Sequence, residues 1–288
     1  MEFFLTALFQ GIGFSALGIG VFLSLRIFNI PDITTDGSYT LGGVITAVCL
    51  TKNLDPATTM LLSIGGGMLA GMITGIIHTR FKANALLSGI LVMTALYSVN
   101  LVIMGRSNLP LINVKDLFYY VPLADRWMQV AVMLLIIMVA LYVVITRVLK
   151  TDFGIAMRAT GNSEIMVRAM GVNTERMKIT GLAIANGCTA LSGCLLTQYQ
   201  GFADINMGIG IVISGLASVM IGETLLRKWI SRNIALHVLA ICFGSIVFRL
   251  ILAAVLSVGL DPNYLRLVTA VLVLLIIVSG NLRLQKSK

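Results

Sequence analysis

An all-α polytopic membrane protein is predicted for this chain of 288 residues, and three observations predict it. Hydrophobic residues make up 58% of the chain and charged residues 11%, with a mean hydropathy of +0.96; no soluble domain of this size keeps so apolar a surface. Apolar runs of about 20 residues, the length needed to cross the hydrocarbon core as helix, recur along the chain. The strand-like alternation of an outer-membrane barrel is absent.

The runs place full spans near 3–25, 57–78, 84–104, 128–149, 179–199, 208–226, 234–257 and 266–280, about eight in all, within a single membrane domain covering 1–288. The opening MEFFL lacks the basic segment of a cleaved signal, so the first run is expected to stay as a span. Residues 38–51 are apolar but short, and the irregular NIPDITTDG at 29–37 precedes them. That pairing predicts a broken or re-entrant element. Non-helical backbone survives at membrane depth only beside protein or a water-filled cavity, which points to Asp32, Thr34, Thr35, Asp36 and Tyr39 as lining a translocation path.

The net charge of +9 has a simpler account than a nucleic-acid partner, and none is expected. Of 21 Lys and Arg, 14 fall in the alternate segments 79–83, 146–178, 227–233 and 281–288, which the positive-inside rule places in the cytoplasm. The C-terminus is then inside. The N-terminus is inside if 38–51 re-enters and outside if it crosses.

Small residues recur every fourth position at Gly67, Gly71 and Gly75, at Gly181, Ala185, Thr189 and Gly193, and at Gly210, Ser214, Ser218 and Gly222. Such stripes let helix backbones meet closely, either within the chain or at a subunit interface. Cys49, Cys188, Cys194 and Cys242 all sit in apolar segments without metal-ligand spacing and read as small packing residues.

Catalytic chemistry is hard to find. The only histidines are His78 and His237, and HExxH, GxSxG and Walker A patterns are all missing, so the chain has no catalytic set, no metal site, no cofactor of its own and no means of hydrolysing ATP. Acids avoid the span centres, which disfavours an ion-coupled secondary carrier. Arg249 alone lies well inside a span, where it either snorkels or pairs with an acid, or else recognises a substrate carboxylate.

The polar loop TDFGIAMRATGNSEIMVRAMGVNTERMK at 151–178 stands out against this background. Asn162 or Ser163 can cap a short helix, Glu164 suits its first turn, and Gly171 supplies its stop. Ile165, Met166 and Met170 would form an adaptable apolar face, and Ala169 with Gly171 would keep the helix slim enough to enter a groove.

The segments ATGNSEIMVRAMGVN at 159–173, 181–223 (GLAIANGC through VMIGE) and DITTDGSYTLGG at 32–43 resemble the permeases of ATP-binding-cassette importers for branched-chain amino acids and ribose. NLVIMGRSNLPL at 100–111 is similar to a subgroup identified as tryptophan or tyrosine importers. The resemblance covers nearly the whole chain. It implies a type II importer permease fold in a bacterial plasma (inner) membrane, paired with a second copy of itself, an ATPase subunit that binds ATP and Mg, and a substrate-binding lipoprotein or periplasmic protein. It further implies that Gly161, Asn162, Glu164, Ala169 and Gly171, with the apolar contact face of Ile165, Met166 and Met170, couple to the ATPase, and that Gln198 and Tyr199 line the outer gate of the route or receive the binding protein, a purely structural turn being the alternative. The expected cargo is a small solute, an amino acid and possibly an aromatic one; a secondary carrier, or an importer of a sugar or nucleoside, are the alternatives.

Overall fold

The structure, a computed structural model, describes residues 2–227, 233–257, 259, 261 and 264–285. Lys228, Arg232, Lys286 and Lys288, counted above among the cytoplasmic cations, lie outside the described residues. Helix α1 (Glu2–Phe22) runs into a π-helical turn (Leu23–Ile27) and is followed by α2 (Thr34–Thr51), α3 (Pro56–Arg80) and α4 (Ala85–Met104). A short strand β1 (Asn108–Pro110) and a 3-10 turn (Leu117–Tyr120) lead to α5 (Arg126–Lys150). Two short helices, α6 (Asp152–Asn162) and α7 (Glu164–Ala169), precede α8 (Thr174–Gln200), β2 (Phe202–Asp204), α9 (Ile211–Leu225), α10 (Ile234–Ser257) and α11 (Leu265–Gln285).

Among the described residues, six helical segments are long and apolar enough to cross a membrane: Phe3–Ile27, α3, α4, α5, α8 and α10. Two more, Ile211–Leu225 and Leu265–Ile276, are apolar but shorter. Burial ranks them. The apolar window of α8 is 83% buried and that of the first span 78%, whereas α4 and α5 bury 28% and 22%, so α1 and α8 form the centre while α4 and α5 present apolar flanks.

Close contacts give the directions of the central helices. The Ser192 hydroxyl on α8 donates to the Gly13 carbonyl of α1, and Gly20 faces the Ala185 carbonyl, so α1 and α8 are antiparallel. Ser38 bonds Asn186 while Gly42 lies against Ala190, so α2 runs parallel to α8. Helix α2 runs alongside α8 over 18 residues, a rise of about 27 Å. The end bearing Arg80, Lys150, Arg158 and Arg168 is cytoplasmic by the positive-inside rule, and Ile27 lies there against Gly161. Phe9, near the start of α1, packs against Trp127 and Tyr199 at the opposite end. The N-terminus is therefore on the outer side, the second of the two arrangements the sequence left open.

The break in the membrane also moves. Helix α2 begins at Thr34 and not Ser38, because the Asp32 carboxylate accepts the Thr34 N–H at 2.9 Å and starts the first turn early. Thr34, Thr35, Asp36 and Tyr39 consequently lie on regular helix, and only 28–33 is irregular. A second irregular stretch, 205–210, shortens the span expected at 208–226 to the 15 residues of α9. Its amides reach Asp36, a partner that no local pattern shows. A small antiparallel ribbon, Asn108 opposite Asp204 and Pro110 opposite Phe202, closes the outer end and was invisible to hydropathy.

The small-residue stripes are intrachain seams. A Cβ at Gly71 would lie 2.2 Å from the Leu182 carbonyl oxygen of α8, one at Gly193 would lie 2.0 Å from that of Tyr39, and one at Gly222 would lie 2.3 Å from that of Ala240 on α10. Dispersion between backbones at this range holds helices together in lipid. Gly42→Val, which forces a side chain into the Ala190 carbonyl 2.1 Å away, is therefore expected to cost about 3 kcal/mol or more and to remove the protein from the detergent-soluble monodisperse fraction. Gly65→Ala, with nothing within 4 Å, should leave the elution profile unchanged. Equal profiles for the two variants would show that the α2–α8 seam is loose.

Candidate functional site

The cytoplasmic loop is held by one carboxylate. The Ser163 hydroxyl, in extended backbone, accepts the Met166 N–H at 3.4 Å and starts α7; Asn162, the other possible cap, is instead the last residue of α6. Glu164 then accepts from Lys178 at 2.5 Å, Arg168 at 3.0 Å and Thr174 at 3.1 Å, tying α7 to the start of α8. The Lys178 hydrogen bond, helped by Thr174 and Arg168, holds its carboxyl below the ordinary range. At the other end Gly171 adopts φ +83° and its N–H bonds the Arg168 carbonyl, ending the helix as its sequence position predicts.

Burial then sorts the faces of α7. Val167 is 4% exposed and pins the helix inward, whereas Ile165, Met166 and Met170 are 86%, 64% and 72% exposed, and Ala169 is exposed beside them. Three large apolar side chains at a charged membrane surface form an unpartnered face. Gly161 serves a different purpose from the rest of its motif: a Cβ there would sit 1.8 Å from the Ile27 carbonyl oxygen, so it seats α6 against the end of the first span. Two short helices, not one, make up the loop. Helix α6 escaped the sequence reading although Thr151 caps it and Asp152 sits in its first turn, because its 11 residues carry no long apolar run.

A second polar set lies inside the bundle. Asp32 accepts from Asn186 at 2.7 Å as well as from Thr34, Ser38 donates to Asn186 at 2.7 Å, and the Thr34 and Thr74 hydroxyls meet at 2.8 Å. Thr35 donates back to the Asp32 carbonyl. The two Asp36 oxygens accept the Gly210 N–H at 2.8 Å and the Val212 N–H at 3.0 Å, capping α9 from another helix. Every one of these side chains is buried, as is Tyr39, and Asp36 also lines a small cavity with Thr40, Tyr97 and Asn100. They hold α2, α3, α8 and α9 together. Asn186 was missed, although a lone amide in mid-span is the kind of residue that should have drawn notice.

At the outer end the Gln198 amide oxygen accepts the Leu117 N–H at 2.8 Å, latching the 3-10 turn to α8. Tyr199 lines an open cavity of about 530 Å³ together with Gln10, Arg126, Trp127 and Phe202. The four cysteines are free, Cys188 and Cys194 are buried, and none sits in a cluster of metal-binding residues among those described.

Residues 3–278 match the family described as the permease component of the branched-chain amino acid transport system. The chain belongs to this family of transport permeases. It is 37% identical, over its whole length and 95% of the relative, to a tyrosine transport system permease protein of Clostridioides difficile (strain R20291). More distant similarity extends to a galactofuranose transporter permease of Escherichia coli (strain K12), 24% identical over 91% of this chain and 74% of the relative. A ribose import permease of Haemophilus influenzae is 20% identical over 92% of this chain and 80% of the relative. The protein is thus a multi-pass membrane permease and not an enzyme, as its composition and missing catalytic sets led one to expect.

Proposed function

We propose that this permease is the membrane subunit of an ATP-driven importer, working as two copies with two ATPase subunits, and that it moves an amino acid delivered by an external binding protein. The observation that carries the reading is the exposed face of Ile165, Met166 and Met170 on a helix braced by Glu164. A rigid, shallow apolar helix on the cytoplasmic side suits a groove in a partner that does mechanical work. ATP and Mg would be bound by that partner. In this scheme ATP binding draws the two loops together, and the membrane helices braced against them switch the cavity between the permeases from outward to inward opening.

Similarity to a tyrosine permease over the full length, against weaker and less complete similarity to sugar permeases, supports an amino acid over a sugar or nucleoside. A secondary carrier draws some support from the buried Asp32 and Asp36, but both carboxylates are occupied as structural acceptors. Tyr199 is proposed to face the incoming solute at the outer end, and the polar seam around Asp32, Thr34, Thr35, Asp36 and Tyr39 to transmit helix movement along the route. The test is co-expression with an ATPase subunit and a substrate-binding protein of this transporter class, followed by mass measurement and uptake of labelled tyrosine into proteoliposomes. A complex of two permeases and two ATPases with ATP-dependent uptake is expected. A stable monomer that captures no ATPase would sink the proposal.

A further inference from the structure

Arg249 on α10 is a cation inside a span without an acid beside it. Among the described residues its guanidinium takes part in no salt bridge, and its Nε is sealed from solvent with no hydrogen-bond partner, although the residue as a whole is partly exposed. It lies over the Phe14 ring of α1 at 3.5 Å, and Phe14 in turn stacks on Tyr39 of α2 at 5.9 Å and 11°. Three elements thus converge on one charge. A desolvated cation over an aromatic face recovers only part of the cost of leaving water, so an arginine kept at this depth marks a site with an anion to meet.

Snorkelling does not account for the geometry. Helices α1 and α10 are antiparallel, with the Ser15 hydroxyl on the Cys242 carbonyl and Gly11 against Ile246. That register sets Phe14 near the level of residue 243, more than a turn deeper than Arg249. Side chains on a helix lean towards its N-terminus, and here that direction leads inward, away from the outer surface. The aromatic stack then fixes the guanidinium plane and leaves its edge as the part able to receive a ligand. A planar fork of N–H groups in a dry site matches a carboxylate in two parallel hydrogen bonds.

We infer that Arg249, held flat by Phe14 and Tyr39, is a carboxylate-recognition site for the transported solute within the membrane. The inference rests on the amino-acid reading above and assigns the α-carboxylate as the group recognised. The Phe14 ring already carries Arg249 and Tyr39, so the group left to bind is the guanidinium edge, which selects a carboxylate.

Saturation-transfer NMR on the permease in nanodiscs, with L-tyrosine, tyramine and sodium benzoate as probes, tests this directly. Tyrosine and benzoate signals should appear in the native protein, weaken in Arg249→Lys, which keeps the charge without the fork, weaken further, by about tenfold or more, in Arg249→Met, and be absent for tyramine throughout. Equal size-exclusion profiles for the two variants establish that both fold. Tyrosine and benzoate signals unchanged in Arg249→Met would overturn the proposal. Native protein that binds benzoate through Arg249 but neither binds nor transports tyrosine would leave the carboxylate site standing and refute the amino-acid reading. If neither carboxylate binds, or if native mass spectrometry finds a phospholipid that Arg249→Met no longer retains, the arginine serves a lipid phosphate or the fold alone and the inference fails.

Discussion

Glu164→Lys should strongly reduce ATP-driven uptake while the permease still inserts and runs as a single species. The carboxylate now accepts from Lys178, Arg168 and Thr174; a lysine there sets a third cation against two and leaves α7 without its tie to α8. Loss of a charge-assisted network whose partners are partly exposed is worth only a modest stability change, but the coupling face of Ile165, Met166 and Met170 would lose its rigid support. Uptake is expected to fall by about tenfold or more, a hundredfold if docking needs the helix preformed. The pH dependence carries a sign that checks the same contact. Because the folded-state pKa of Glu164 is lowered, chiefly by Lys178, its contribution is fully present above the ordinary carboxylate range and disappears only as pH falls through the depressed value. Gly171→Trp probes the far end of the same helix: the φ of +83° strains any L side chain, while the open space around its Cβ removes a clash as the cause. Native ATP-coupled uptake in both variants would move the docking site elsewhere.

Asp36→Ala should have the larger effect on the fold. Its two carboxylate oxygens accept the N–H groups of Gly210 and Val212 at the start of α9, where irregular backbone has entered the bundle. Each buried amide left without an acceptor costs roughly 1–3 kcal/mol, and the change removes both acceptors at once. We expect a loss of about 3 kcal/mol or more, read as a fall in the thermal midpoint of the detergent-solubilised protein and as greater proteolysis near 205–210. Asp36→Asn, which keeps one acceptor oxygen, should fall between. An unchanged midpoint for Asp36→Ala would mean that packing against α1, α10 and α11 is enough to hold α9.

The features read correctly from the chain share a cause: they are local. A span is a run of apolar residues about as long as the bilayer is thick, so α3, α4, α5, α8 and α10 were legible one by one. A helix stop is one residue in a left-handed conformation, so Gly171 was legible, and an apolar stripe on a short polar segment showed Ile165, Met166 and Met170 before any coordinates did. Membership of a permease family followed from motifs spread along nearly the whole chain.

What misled was polarity read without its partner. NIPDITTDG looked like irregular backbone because local amides supply Asp32 with only the Thr34 N–H and Asp36 with none. Asn186 and the amides of Gly210 and Val212, both more than 150 positions away, satisfy them and turn 34–51 into helix. The side of the membrane occupied by the N-terminus depended on that same segment, and so could not be settled by counting charges. The small-residue stripes announced that backbones meet, but a four-residue period is identical whether the neighbour is α8, α10 or a second copy. Composition and periodicity fix what each element needs; which distant carboxylate, amide or carbonyl supplies it is a property of packing in three dimensions, where buried polar groups must find partners regardless of their separation along the chain.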